Sequence, residues 1–192
     1  MSKVDIESIK EKQNKLNIQK QKLLQVFIPF RNAIINDLEE FFAMAVREEL
    51  PGANRFRKNK DTSEIVEVFF NLNTTDLVLV SNDEVYNLDL DNQHLAGKMF
   101  IYHAGSDSNT PVVEIAFIET DDATYRFRMQ WYSQTGIRPI DEGVVSTETT
   151  SVISSELVYH FYRFDFTWGE KPSMKAIHGK AGKRPIGFLA NN

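Results

Sequence analysis

From its start the chain repeats apolar residues every seven positions: Ile9, Leu16, Leu23 and Phe30. A second row runs beside it at Phe27, Ile34 and Phe41, while its earlier places go to Gln13 and Lys20. This is a heptad seam, strong in its second half and dilute in its first, and it predicts helix over roughly the first fifty residues. Ser8 followed by Glu11 reads as a capping box, and Glu11 with Lys15 as a favourably oriented i,i+4 pair. Pro29 cannot donate to the carbonyl of Gln25 and crowds the turn before it. The pattern therefore predicts one kinked helix, or two helices meeting near Ile28, ended by Pro51-Gly52.

A stripe of this kind needs a cover. Residues 31–50 are apolar on more than one face, through Ile34, Ile35, Leu38, Phe41, Phe42, Met44, Ala45 and Val46, so that segment is expected to be buried. The earlier segment is polar everywhere except its thin stripe, and alone it would be marginal in water. The rest of the chain or a second copy can supply the cover. The second option makes Ile9, Leu16, Leu23, Phe27, Phe30, Ile34 and Phe41 the candidate self-association residues.

Beyond the basic run Arg55-Phe56-Arg57-Lys58-Asn59-Lys60 the period falls to two. Val66, Val68, Phe70 and Leu72 alternate with polar residues, and Asn73-Thr74-Thr75-Asp76 supplies a turn. A short apolar run, Leu77–Val80, is closed by Ser81-Asn82-Asp83, and Tyr86, Leu88 and Leu90 alternate next. Met99–His103 follows Gly97, and then Val112–Glu119 and Ala123–Tyr132 flank Thr120-Asp121-Asp122 as a hairpin. In that last strand Tyr125, Phe127, Met129 and Trp131 point one way, while Arg126, Arg128 and Gln130 point the other. Residues 133–155 read as loop with one strand. Residues 156–168 fit both periods, and their aromatic content favours a strand.

Short strands without intervening helices predict an antiparallel meander. The fold class expected is α+β: an N-terminal helical arm followed by an antiparallel sheet of about six to eight strands. The chain divides into a helical arm and packing helix (1–52), a basic linker (53–60), an antiparallel β domain (61–170) and a basic, glycine-containing tail (171–192).

Charge follows the same division. The total of −5 averages +4 over residues 1–60, −14 over 61–170 and +5 over 171–192. Such an acidic middle repels nucleic acid, so any contact of that kind is confined to the two ends. The absence of cysteine removes disulfides, thiolate nucleophiles and Cys-ligated zinc or iron–sulfur centres. No apolar window reaches bilayer length, and the N-terminus is too polar for a secretory leader, so a cytoplasmic protein that crosses no membrane is expected.

The chemistry-bearing residues form no recognised constellation. His94, His103, His160 and His178 lack partners at metal-ligand spacing, and His103 with Ser106 and Asp107 lacks a nucleophile elbow. Asp89 and Asp91 lack the glycine and glutamate of a calcium loop. No metal and no cofactor is expected. Two groups are candidates for holding an anion: Lys175, Lys180, Lys183 and Arg184 in the tail, and Arg126 with Arg128 on the wet face of their strand. Arg126 and Arg128 could instead pair across the sheet, with Glu114 for example. Trp131, Tyr162, Phe164 and Trp168 are candidate walls of a ligand pocket, although sheet core is the simpler reading.

The leading functional reading is thus a non-catalytic interaction protein that self-associates through its N-terminal helices. The alternative from another class is a small-molecule-binding or catalytic α+β domain with an aromatic-lined pocket, whose mark would be a pocket holding a Tyr or Trp beside a buried carboxylate. A weaker alternative is nucleic-acid contact by the basic ends.

Overall fold

The structure, a computed structural model, describes residues 5–49, 56–58, 65–72, 75–88, 95–105, 110–120, 124–133 and 136–162. Helix α1 (Ile6–Arg47) opens on Asp5, whose side chain accepts the backbone N–H groups of Glu7 at 3.1 Å and Ser8 at 3.3 Å. That cap lies three residues before the expected Ser8–Glu11 box and replaces it, because the helix begins at Ile6 and Asp5 satisfies its orphan N–H groups at Glu7 and Ser8 while adding charge at the positive end of the dipole. Lys15 and Glu11 pair at 2.9 Å, but both are exposed, so the pair contributes little.

Of the two arrangements Pro29 allowed, the single helix is found. Gln25 and Pro29 are both exposed, so the turn that Pro29 interrupts lies on the side of the helix away from the core. From Leu23 onward the seam is buried: Leu23, Phe27, Phe30, Ile34, Ile35, Leu38, Phe41, Phe42 and Ala45 all lie in the core.

Seven strands follow: β1 (Phe56–Lys58), β2 (Ile65–Leu72), β3 (Thr75–Asn87), β4 (Leu95–His103), β5 (Val113–Glu119), β6 (Tyr125–Ser133) and β7 (Gly136–Val144). They form one antiparallel sheet in which every strand pairs with its neighbours in sequence, the expected meander. The basic linker is not wholly a linker, since Phe56–Lys58 pairs with Val68–Phe70. Nor does Ser81-Asn82-Asp83 end a strand. It is an irregularity inside β3, where the register to β4 shifts between Ser81 and Val85. The bulge presents Asp83 to Arg31 of α1, with an ion pair of 2.6 Å, and Arg31 is itself buried.

One face of the sheet carries the core. Val68, Phe70, Leu77, Leu79, Met99, Ile101, Val113, Ile115, Phe117, Phe127 and Met129 alternate inward and join α1 in one cluster. Helix and sheet approach closely where Gly97 lies under the Phe27 ring, and a β-carbon at Gly97 would overlap that ring.

The strand expected at 156–168 is corrected. Residues Thr149–Tyr162 form helix α2, which buries Ile153, Leu157, Val158 and Phe161 against α1 and the sheet. Helical spacing wins because this stretch covers the open flank of α1, where a strand would have no ladder to join. The Ser/Thr run before it acts as a helix start rather than as loop alone, with Ser146 donating its N–H to Thr149 Oγ1 at 2.7 Å. Residues of the 156–168 expectation beyond Tyr162 lie outside the described residues.

Candidate functional site

Both helices share a core with only one face of the sheet, so the other face receives no described helix. Its rows follow from the register. One row runs Val80, Phe100, Glu114, Gln130, Pro139 from β3 to β7, and the next runs Lys98, Ala116, Arg128, Glu142. A third holds Tyr86, Ala96, Ile118, Arg126 and Val144. Tyr102 and Tyr132 follow two residues after Phe100 and Gln130, so they share this face.

A carboxylate lies at the centre of this surface. Glu114 is only 4% exposed, although no described helix lies over it. Its Oε1 takes the Lys98 ammonium at 3.2 Å, and its Oε2 accepts the Tyr132 hydroxyl at 2.7 Å. A buried carboxylate is tolerated only when its charge and lone pairs are met in this way. Lys98 also lies 5.5 Å from the Tyr86 ring centroid and 6.0 Å from that of Phe100, within cation–π range of both. Tyr86 packs edge-on against Phe100 with centroids 6.3 Å apart, and Phe100 and Tyr102 are likewise 6.3 Å apart. Tyr86 is held by its own bulge, its hydroxyl donating to Asn82 Oδ1 at 3.0 Å.

The electrostatics favour neutral phenols. Burial pushes Tyr132 up to about 12, with the hydrogen bond to Glu114 adding to it and the positive charge of Arg128 opposing it. Burial likewise raises Tyr86 and Tyr102, and the Glu114 charge contributes to both. Arg128 Nε is shielded from solvent and finds no hydrogen-bond acceptor among the described residues. The result is a cationic and aromatic surface around a carboxylate whose two oxygens are both engaged.

The sequence-derived candidates separate in space. Arg126 and Arg128 are both on this face, Arg126 exposed and Arg128 half-buried. Neither faces Glu114 directly, because Glu114 is registered with Gln130, and Lys98 takes the carboxylate instead. Trp131 is on the opposite, helix-covered side, half-buried against the core with the Arg138 guanidinium 5.5 Å from its ring. Of the self-association candidates, Leu23, Phe27, Phe30, Ile34 and Phe41 are consumed by the chain's own core. Leu16 is partly buried against that core, and Ile9 is 43% exposed. The Tyr162 side chain, Phe164, Trp168, Lys175, Lys180, Lys183 and Arg184 lie outside the described residues.

Lys98, Glu114 and Tyr132 were not singled out as one site from the sequence. The signal available was a lone glutamate inside the apolar run Val112–Ile118, together with the Lys98, Phe100, Tyr102 alternation opposite Met99 and Ile101. Among the described residues no group of three or more His, Asp or Glu is placed to hold a metal ion, and no helix is long and apolar enough to cross a membrane. Comparison with family models, with curated proteins and with solved structures finds no match to this chain.

Proposed function

We propose that this chain is a non-catalytic binding protein whose recognition surface is the helix-free face of the sheet. The observation that carries the reading is Glu114, a nearly fully buried carboxylate held by Lys98 and Tyr132 on a face the described helices leave open. A tyrosine beside a buried carboxylate is one part of the mark expected of a small-molecule domain and supports this reading. A simple solvated face has no need of it, because a buried ion pair rarely stabilises more than apolar residues of the same size would. Catalysis is disfavoured because both oxygens of Glu114 are already engaged. The test is a thermal-shift screen of the full chain against organic acids, nucleotides and neutral metabolites. Stabilisation by a subset of compounds, lost in Tyr132→Phe and Glu114→Gln, supports the reading, and a uniformly flat response overturns it.

A second reading, self-association, keeps one specific support. Ile6 and Ile9, 63% and 43% exposed, continue the line of the buried stripe along the first turns of α1. Pairing there, with Leu16 at its inner end, would leave the helix-free face available. Sedimentation velocity decides it: a dimer that becomes monomeric in Ile6→Glu/Ile9→Glu supports the reading, and a monomeric full-length chain removes it.

A further inference from the structure

We infer that the ligand of the helix-free face is a small monoanion with a flat apolar body, and that its charged group is received between Lys98 and Arg128. This rests on the reading of that face as a binding surface and adds the class of ligand. The two cations flank Ala116 in a single row across β4, β5 and β6. With strands about 4.8 Å apart, their backbones are separated by about 10 Å, a gap that two long side chains can close over one carboxylate. Ala116 between them carries only a methyl group and is fully buried, as is Ala96 in the next row.

Charge argues for an anion. Lys98, Arg126 and Arg128 are three of the five basic residues in the acidic middle of the chain, and all three converge on this face. Glu114 offsets one of them through Lys98. Glu142 faces Arg128 across the β6–β7 ladder but is exposed, and no ion pair joins the two among the described residues. Arg128 Nε, shielded from solvent, has no acceptor among the described residues and is the donor left for a ligand. A planar guanidinium receives a carboxylate through two parallel N–H groups, and reaching Nε requires Arg128 to change rotamer as the ligand enters. Aromatic rings beside the cations account for the flat body. Tyr86 and Phe100 lie against Lys98, and Tyr102 lies against Phe100. A bare anion such as phosphate would leave that wall unused.

The test is calorimetric titration of the full chain with 2-naphthoate, its neutral analogue 2-naphthamide, and inorganic phosphate, on wild type, Arg128→Gln, Arg128→Lys and Tyr132→Phe. Folding of each variant is checked by circular dichroism. The expected result is naphthoate binding at least ~10-fold tighter than naphthamide, a factor that one charge-assisted hydrogen-bonded contact can supply. That advantage should be lost in Arg128→Gln, partly kept in Arg128→Lys, and phosphate should bind more weakly than naphthoate. Equal binding of naphthoate and naphthamide, both lost in Tyr132→Phe, overturns the anion assignment while leaving the face as the binding surface. Binding of neither aromatic compound, or naphthoate binding unaffected at Arg128, overturns the proposal. In that case only ligands found by the thermal-shift screen can sustain the broader reading.

Discussion

At the residue scale, Glu114 is the position whose surroundings ask most for an explanation. If Lys98, Glu114 and Tyr132 are retained for binding, their removal as a set should be tolerated by the fold. Glu114→Ala alone strands the Lys98 ammonium, whose side chain is 16% exposed, and is expected to cost about 3 kcal/mol in urea unfolding. The triple replacement Lys98→Met, Glu114→Met and Tyr132→Phe is expected to fall within about 1 kcal/mol of wild type, because apolar side chains of similar volume need no compensation. Equal loss in both would assign the cluster to stability instead. Tyr132 gives a spectroscopic check. With its folded value raised to about 12 against an ordinary 10, its neutral form is favoured by folding. That contribution is complete below pH 10 and is lost as pH rises from 10 through 12. Ultraviolet titration should therefore show late tyrosinate formation, of which the component near 12 is lost in Tyr132→Phe and moves down in Glu114→Gln, while raised Tyr86 and Tyr102 remain.

At the scale of elements, α1 is attached to the sheet at two points that differ in kind. One is steric, where Phe27 occupies the space a side chain at Gly97 would need. Gly97→Val is expected to destabilise by about 2–3 kcal/mol, and Phe27→Leu in the same chain should recover part of it, measured as a double-mutant cycle. The other is electrostatic, where Asp83 in the β3 bulge reaches the buried Arg31. Asp83→Asn leaves that guanidinium buried without a counter-charge and should cost about 3 kcal/mol, whereas neutral changes at exposed Glu84 should cost little. These attachments also mark where sequence reasoning stopped. The heptad seam was legible because its period is local. The Ser81–Asp83 bulge was not, since its polar residues look like a turn until Arg31 is seen opposite. For α2, aromatics spaced at both two and four residues left only tertiary context to choose, and the uncovered flank of α1 chose helix. The Glu114 cluster needed three strands in register, a relation that no single strand displays.

At the scale of the whole molecule, the described residues form an asymmetric fold: two helices pack on one face of a seven-stranded meander, and no described helix lies on the other. The charge partition of +4, −14 and +5 takes on a different meaning in this arrangement. Within the acidic middle, Lys98, Arg126 and Arg128 are gathered on the face that no described helix covers. The binding account therefore places recognition on β4–β6 and leaves the first turns of α1 to any contact with a second copy. Amide and arginine side-chain NMR spectra of the full chain, recorded while 2-naphthoate is added, test this placement most directly. The account predicts shifts concentrated at Phe100, Glu114, Ala116, Arg128 and Tyr132, with Phe27, Leu38, Ile153 and the rest of the helix-covered core unmoved. Shifts centred on α1 and α2, or none on β4–β6 at saturating probe, would contradict it.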